Sequence, residues 1–240
     1  MSLSALRRMR FLVPRSLRTR AKGILGFWLP AAFKYKEELD FWDTCYEEEG
    51  SQFENEHYRK TMLGMAGEAD DSFLSGRIVA DFGCGPRGSL SWAASAKSRI
   101  GIDVLTQEYS KFNIRTHDIV YVRCSEWKIP LPSNYVDVLF TLNAMDHVSH
   151  FAAMCRELLR ILSPGGLFIG SFNLDEPPTF SEPQRLTEKT IQKHLLKHLH
   201  VESYRIAARG EPGSTYLHFF DGSAPPKAGP RFLWIRARKP

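Results

Sequence analysis

One stretch constrains this chain more than any other: Asp81-Phe-Gly83-Cys-Gly85-Pro-Arg-Gly88, directly after the short apolar run Arg77-Ile-Val-Ala. Glycines at this spacing let the backbone turn sharply and lie against a ligand. A strand that runs into such a loop belongs to an α/β sheet, where ligands gather at the carboxyl ends of the strands. A second acid, Asp103, stands 22 residues after Asp81 and closes another apolar run, Arg99-Ile-Gly-Ile. A carboxylate in that place can accept both hydroxyls of a ribose, which points to a nucleoside-containing cofactor.

The rest of the chain alternates in the same way. Strands are expected at Val120-Tyr-Val-Arg-Cys, Val136-Asp-Val-Leu-Phe-Thr-Leu, Leu167-Phe-Ile-Gly-Ser-Phe, Val201 to Ala207 and Phe232 to Arg238. The Val136 run is apolar on both parities, as in strands covered on both faces. Helices are expected at Ser89 to Lys97, Phe151 to Leu162 and Thr187 to Leu199. In the second, Met154, Leu158 and Ile161 share a stripe. Alternation of this kind predicts an open α/β sheet with helices on both faces. Residues 37–72 read as an aromatic and acidic helical cap, and 73–240 as the ligand-binding domain. Two long irregular stretches, Asn173 to Arg185 and Gly210 to Gly229, are candidate lids or substrate loops.

Charge sets the start of the chain apart. Nine of the 32 basic residues and none of the 27 acidic ones fall in residues 1–36, so the remainder carries −4. The apolar run Gly23 to Phe33, broken by Pro30, is about half the ~20 residues a membrane span needs. Leu17, Ala21, Ile24 and Trp28 recur at helical spacing opposite Arg15, Arg18 and Lys22, a pattern suited to an anionic membrane surface. An arginine-rich, acid-free start also looks like a mitochondrial transit peptide, and a solvated leader is the plainer alternative. The acidic body argues against a nucleic-acid substrate. Four cysteines without a C-x-x-C pair indicate a reducing, cytoplasmic setting and no zinc site. His194 and His198 share a helix face, but with no carboxylate partner nearby they read as solvated, so no metal is expected.

Gly83, Gly85 and Gly88 satisfy G-x-G-x-x-G, a pattern shared by dinucleotide sites. Asp81 separates the two readings. A pyrophosphate would be repelled by it, whereas a cationic sulfonium cofactor would be welcomed. From Arg77 to Ser171 the chain resembles the class I S-adenosylmethionine (SAM) dependent methyltransferases of the type 11 kind. Asp81-Phe-Gly-Cys-Gly looks like their first motif and Asp103 like their ribose acid. Ser125-Glu126 before Ile129-Pro-Leu looks like their adenine-side segment. Tyr135-Val-Asp-Val-Leu-Phe with Asn143-Ala-Met-Asp146-His147-Val looks like their fourth-strand motif, and Glu157-Leu-Leu-Arg-Ile-Leu-Ser-Pro-Gly-Gly like the lead into the fifth strand. The resemblance implies a seven-stranded, mostly parallel, Rossmann-like sheet whose last strand is antiparallel. It implies SAM as cofactor, with Asp81, Gly83, Cys84, Gly85, Asp103, Ser125, Glu126 and Asn143 around it. Two positions depart from the family: Arg87, expected to face solvent, replaces a frequent glycine, and Ser125 replaces a frequent acid.

Methyl transfer from a sulfonium needs alignment and, for an oxygen nucleophile, a base. His147, just past the fourth strand, is the first candidate, with Asp146 beside it. His57 and Tyr58, with Trp42 and Tyr46, either reach over the cofactor or pack the N-terminal helices onto the domain. Glu176, Glu182 and Gln184 are candidates for holding a hydroxylated acceptor. The expected activity is methyl transfer to a small-molecule, glycan or lipid-linked acceptor at oxygen. The rivals are a nicotinamide-dependent oxidoreductase, a non-catalytic module that keeps the fold, and an RNA methyltransferase.

Overall fold

A computed structural model describes residues 31–210, 216–222 and 230–240. The basic arm and most of the Gly210 to Gly229 stretch lie outside the described residues. Two helices, α1 (Ala31–Glu48) and α2 (Glu56–Ala66), come first. Strands β1 (Ile78–Phe82), β2 (Ser98–Asp103), β3 (Val120–Arg123) and β4 (Val136–Leu142) follow. Next come α3 (Phe151–Ile161), β5 (Leu162–Leu174), α4 (Glu188–His194), β6 (His200–Ala208), α5 (Leu217–Phe220) and β7 (Arg231–Arg238).

The seven strands form one sheet in the order β3-β2-β1-β4-β5-β7-β6. All pairings from β3 through β5 are parallel, and both pairings of β7 are antiparallel. The last strand therefore runs against the rest, as expected. Parallel strands need covered faces, and apolar side chains of alternating parity supply two cores. On one face Met154, Leu158 and Ile161 of α3 meet Ile100, Leu139, Phe168 and Ile235. On the other, Met62 and Met65 of α2 meet Val79, Val138, Phe140 and Trp234. The segment 37–72 thus does two jobs: α2 packs into the core and sends only Tyr58 to the cavity, while α1 covers the ligand side of the sheet.

Three expectations change. No regular helix forms over Ser89 to Lys97, which runs as successive turns. The Ser89 hydroxyl instead donates to Asp81, 2.5 Å away, and the Ser95 backbone N–H donates to Asp71 at 2.9 Å. Serine side chains that bond elsewhere compete with helix in so short a segment. The helix expected from Thr187 to Leu199 ends at His194 and gives way to a 3₁₀ turn over Leu196–His198. Strand β5 starts earlier than Leu167, because Leu162 already pairs with Val136 while Ser163-Pro-Gly-Gly bulges out before Leu167 pairs with Val138.

Candidate active site

The carboxyl ends of β1, β2 and β4 open into a cavity of about 540 Å³. Ligand pockets commonly measure about 300–1,000 Å³. Its floor is the glycine loop. The Gly83 N–H donates to the Ile102 carbonyl at 2.8 Å, stitching the loop to β2. Gly83 has φ +74°, and a Cβ there would stand 2.1 Å from the Ala144 Cβ, so only glycine lets the loop pass the turn after β4.

Asp103 lines the cavity beside this loop. One carboxylate oxygen accepts from the Leu105 N–H at 2.9 Å, and the other from the Gly85 N–H at 3.2 Å. The first oxygen also accepts a long bond from the Tyr109 hydroxyl at 3.4 Å, and the second keeps a lone pair for a ligand hydroxyl. Burial pushes its pKa up to about 6, against those N–H groups and the Tyr109 hydroxyl, which favour the anion. Asp81 is more deeply placed, 3% exposed, and does not line the cavity. Its role is to hold Ser89 and so shape the loop. Its second oxygen is buried without a partner, and burial lifts its pKa to about 7 despite the Ser89 bond, with the Asp103 charge adding to the rise. Cys84 is buried in the loop, and burial holds its thiol well above the usual range.

Asn143 lines the cavity at the end of β4 with φ +50°, a conformation asparagine tolerates better than most residues. Its Oδ1 is buried and unpartnered, an acceptor waiting for a donor. Beyond it His147 Nε2 stands 3.9 Å from an Asp146 oxygen and 3.8 Å from a Glu182 oxygen. Nδ1 of the same ring faces Glu38 of α1 at 3.8 Å. Burial raises the Glu182 pKa, opposed by His147 and assisted by Asp146 and Glu176. Asp146 is held behind, its other oxygen accepting from Asn173 at 3.2 Å.

Helix α1 roofs the cavity with Lys34, Tyr35, Glu37, Glu38, Phe41 and Trp42. Glu126 is the anchor of this roof. It accepts from the Tyr35 hydroxyl at 2.6 Å, from Lys34 at 2.9 Å and from the Ser149 N–H at 2.9 Å. Burial alone would raise its pKa, but these donors outweigh it and hold the carboxylate low. Arg87 does not face solvent as expected. It pairs with Glu49, donates to the Glu54 carbonyl at 3.1 Å and lies over the Phe53 ring at 4.7 Å. It thereby ties the end of α1 to the glycine loop.

Besides Asp81 and Asp146, which stand behind the cavity wall, two expected site residues lie elsewhere. Ser125 folds its own turn, its hydroxyl oxygen accepting from the N–H groups of Trp127 and Lys128, and does not line the cavity. His57 is off the cavity too, its ring 4.2 Å from that of Tyr58, which does line it. Tyr46 packs on Phe53 and Phe112, while Trp42 covers Gly85. Gln184 donates to the Ser149 carbonyl at 3.1 Å and Glu176 pairs with Arg209, so of the three loop candidates only Glu182 reaches the site. Tyr35, Glu38, Tyr109 and Arg209 line it without having been singled out. Their one sequence signal, polar and aromatic residues outside the motif blocks, is too common to select them.

A family model described as a methyltransferase domain matches residues 80–170. Residues 80–170 thus match a methyltransferase domain of the type 11 kind. An uncharacterised methyltransferase of Mycobacteroides abscessus is 33% identical over 113 residues, 45% of this chain and 44% of that one. A tRNA U34 carboxymethyltransferase of Sulfurovum is 32% identical over 109 residues, 42% of this chain and 36% of its own. The chain thus spans less than half the length of these two relatives. A solved SAM-dependent methyltransferase from Mesorhizobium loti superposes with a TM-score of 0.53 at 19% identity, over 69% of this chain and 92% of that one, and shows the shared fold.

SAM is the cofactor of such a domain, and the residues present fit it. The glycine loop gives a close floor, Asp103 presents a carboxylate with a lone pair left for a ribose, and the orphaned Asn143 oxygen offers an acceptor. A dinucleotide fits less well. The turns after Gly88 present no helix N-terminus for a pyrophosphate.

Proposed function

We infer that this methyltransferase domain moves the SAM methyl group to an oxygen of a small hydroxylated acceptor, with glycans and lipid-linked units in that class. One observation carries the reading. The same cavity is lined by Gly83, Gly85 and Asp103 and by His147 and Glu182, with Asp146 behind the last two.

When bound, SAM supplies a methyl group already activated as a sulfonium, so alignment and water exclusion are what the chain adds. Asp103 holds the ribose hydroxyls, and Asn143 Oδ1 takes a donor from the bound cofactor. Trp42 and Phe41 cover the site from α1. The Asp146–His147–Glu182 corner receives the acceptor hydroxyl.

Glu37, Glu38 and Glu182 ring the cavity with acidic groups. Such a mouth disfavours an RNA backbone, so no nucleic-acid substrate is proposed although one relative is a tRNA-modifying enzyme. Among the described residues no helix is long and apolar enough to cross a membrane. Contact with a membrane surface through residues 1–28 is proposed from the sequence pattern alone. Deleting those residues should then abolish co-sedimentation with anionic vesicles, and unchanged co-sedimentation would refute it.

The reading as a whole is tested with isotopically labelled SAM and a panel of hydroxylated acceptors. It expects label in an O-methyl product. Label found only at nitrogen or carbon would overturn the oxygen assignment.

A further inference from the structure

Outside the cofactor half of the cavity, Asp146, His147 and Glu182 pose a problem of their own. Asp146 is 5% exposed and one of its oxygens is buried without any partner. That oxygen stands 3.9 Å from His147 Nε2. A buried, unsatisfied carboxylate oxygen is costly, and here a second carboxylate, Glu182, faces the same nitrogen at 3.8 Å. One ligand atom from each of the three residues falls within a span of 4.8 Å. A zinc-sized ion bonds nitrogen and oxygen at about 2.0–2.2 Å, so its ligands stand about 3–4 Å apart.

The surroundings are built for the same purpose. His147 Nδ1 faces Glu38 at 3.8 Å, the outer carboxylate that fixes the ring of a ligating histidine. Asn173 holds the other Asp146 oxygen at 3.2 Å. The Gln184 N–H donates to the Asp146 carbonyl at 3.2 Å and joins the loop that bears Glu182 to the turn after β4. Arg209, whose charge also reaches this corner, is paired with Glu176.

We propose that Asp146, His147 and Glu182 bind a divalent transition-metal ion, with an open coordination position facing the cavity. One imidazole and two carboxylates suit zinc, manganese or ferrous iron better than calcium or magnesium, which favour all-oxygen sets. The open position takes an acceptor oxygen. An acceptor with a second oxygen nearby, such as a vicinal diol or hydroxy acid, would chelate. This part rests on the methyl-transfer reading; the metal site itself does not. In the loaded protein the ion lowers the pKa of the bound hydroxyl, whose proton passes to solvent while His147 Nε2 stays on the metal.

The test uses the full chain stripped with chelator, titrated with manganese and followed by electron paramagnetic resonance, with zinc competition and magnesium as comparator. The expected result is one saturable equivalent, displaced by zinc. Glu182→Gln and His147→Ala should each weaken it at least tenfold, and Glu38→Gln about tenfold, with circular dichroism unchanged. Asp103→Ala should lose S-adenosylhomocysteine (SAH) yet keep manganese, which separates failure of the metal site from failure of the cofactor site. Absence of a saturable equivalent, or binding untouched by both ligand variants, would leave an adventitious ion only and overturn the proposal.

Discussion

Asp81 and Asp103 set cofactor binding against stability. Both are buried, and both have pKa values raised in the folded chain, to about 7 and about 6. A raised carboxylate pKa means the folded state holds its proton more tightly than the unfolded chain does. Their contribution to stability is therefore largest below the unfolded value near 4 and is lost as pH rises to about 7. Cofactor binding runs the other way, because an ionised Asp103 accepts both ribose hydroxyls. SAH affinity should fall as pH drops through about 6, with proton release on binding. Calorimetry in buffers of different ionisation enthalpy checks this, and a pH-independent affinity would contradict it. Gly83→Ala should abolish SAH binding and lower the melting temperature, since its Cβ would meet that of Ala144 at 2.1 Å. In the same cavity, His147→Ala should cost about 10²–10⁴-fold in methyl transfer while SAH affinity, measured by calorimetry, stays within a few-fold.

At the scale of elements, α1 is the part that must yield to admit a ligand. Beside an apolar contact of Leu39, Trp42 and Tyr46 with Leu105, Tyr109 and Phe112, it is held by a polar clasp: Lys34 and Tyr35 to Glu126, Asp43 to Lys111 at 2.6 Å, and Glu49 to Arg87. A single hydrogen bond of this kind contributes about 1 kcal/mol net. Glu126→Gln should therefore speed SAH release about fivefold in stopped-flow fluorescence, with Trp42 as reporter; an unchanged rate would show that α1 does not gate the site. Helix α3 contrasts with it. Leu158 is fully buried between α3 and the sheet, so Leu158→Ala should cost about 2–5 kcal/mol of stability in denaturant titration, with SAH affinity of the folded fraction unchanged. The strands and α3 were legible because their apolar periodicity reflects a face that must be buried. The stretch from Ser89 to Lys97 was not, because its fate rests on Ser89 and Ser95 finding distant partners. Arg87 was misjudged for the same reason, and the grip of Glu126 on α1 was not foreseen: α1 lies far from both in sequence, and only folding brings its acids and donors to them.

Across the whole molecule, the sheet order puts the motif blocks that follow β1, β2 and β4 at the carboxyl edge of the strands, while the Ser163-Pro-Gly-Gly lead into β5 lies at the other edge. β1 and β4 are neighbours, so the loop after Phe82 and the turn after Leu142 meet, and Gly83 touches Ala144. This is why motifs 60 residues apart could be assigned to one site from sequence. The acceptor end was half legible. Asp146 and His147 follow a strand and announce themselves, while Glu182 arrives on an irregular loop whose course no periodicity encodes. Both ends share one cavity, and the account stands on what fills its cofactor half.

The measurement that bears on this most directly is calorimetric titration of the purified full chain with SAH and, separately, with NAD, each repeated on Asp103→Ala. The account predicts saturable binding of one SAH, weakened at least tenfold by the substitution, and no binding of NAD. Binding of NAD alone, or SAH binding indifferent to the loss of Asp103, would contradict it.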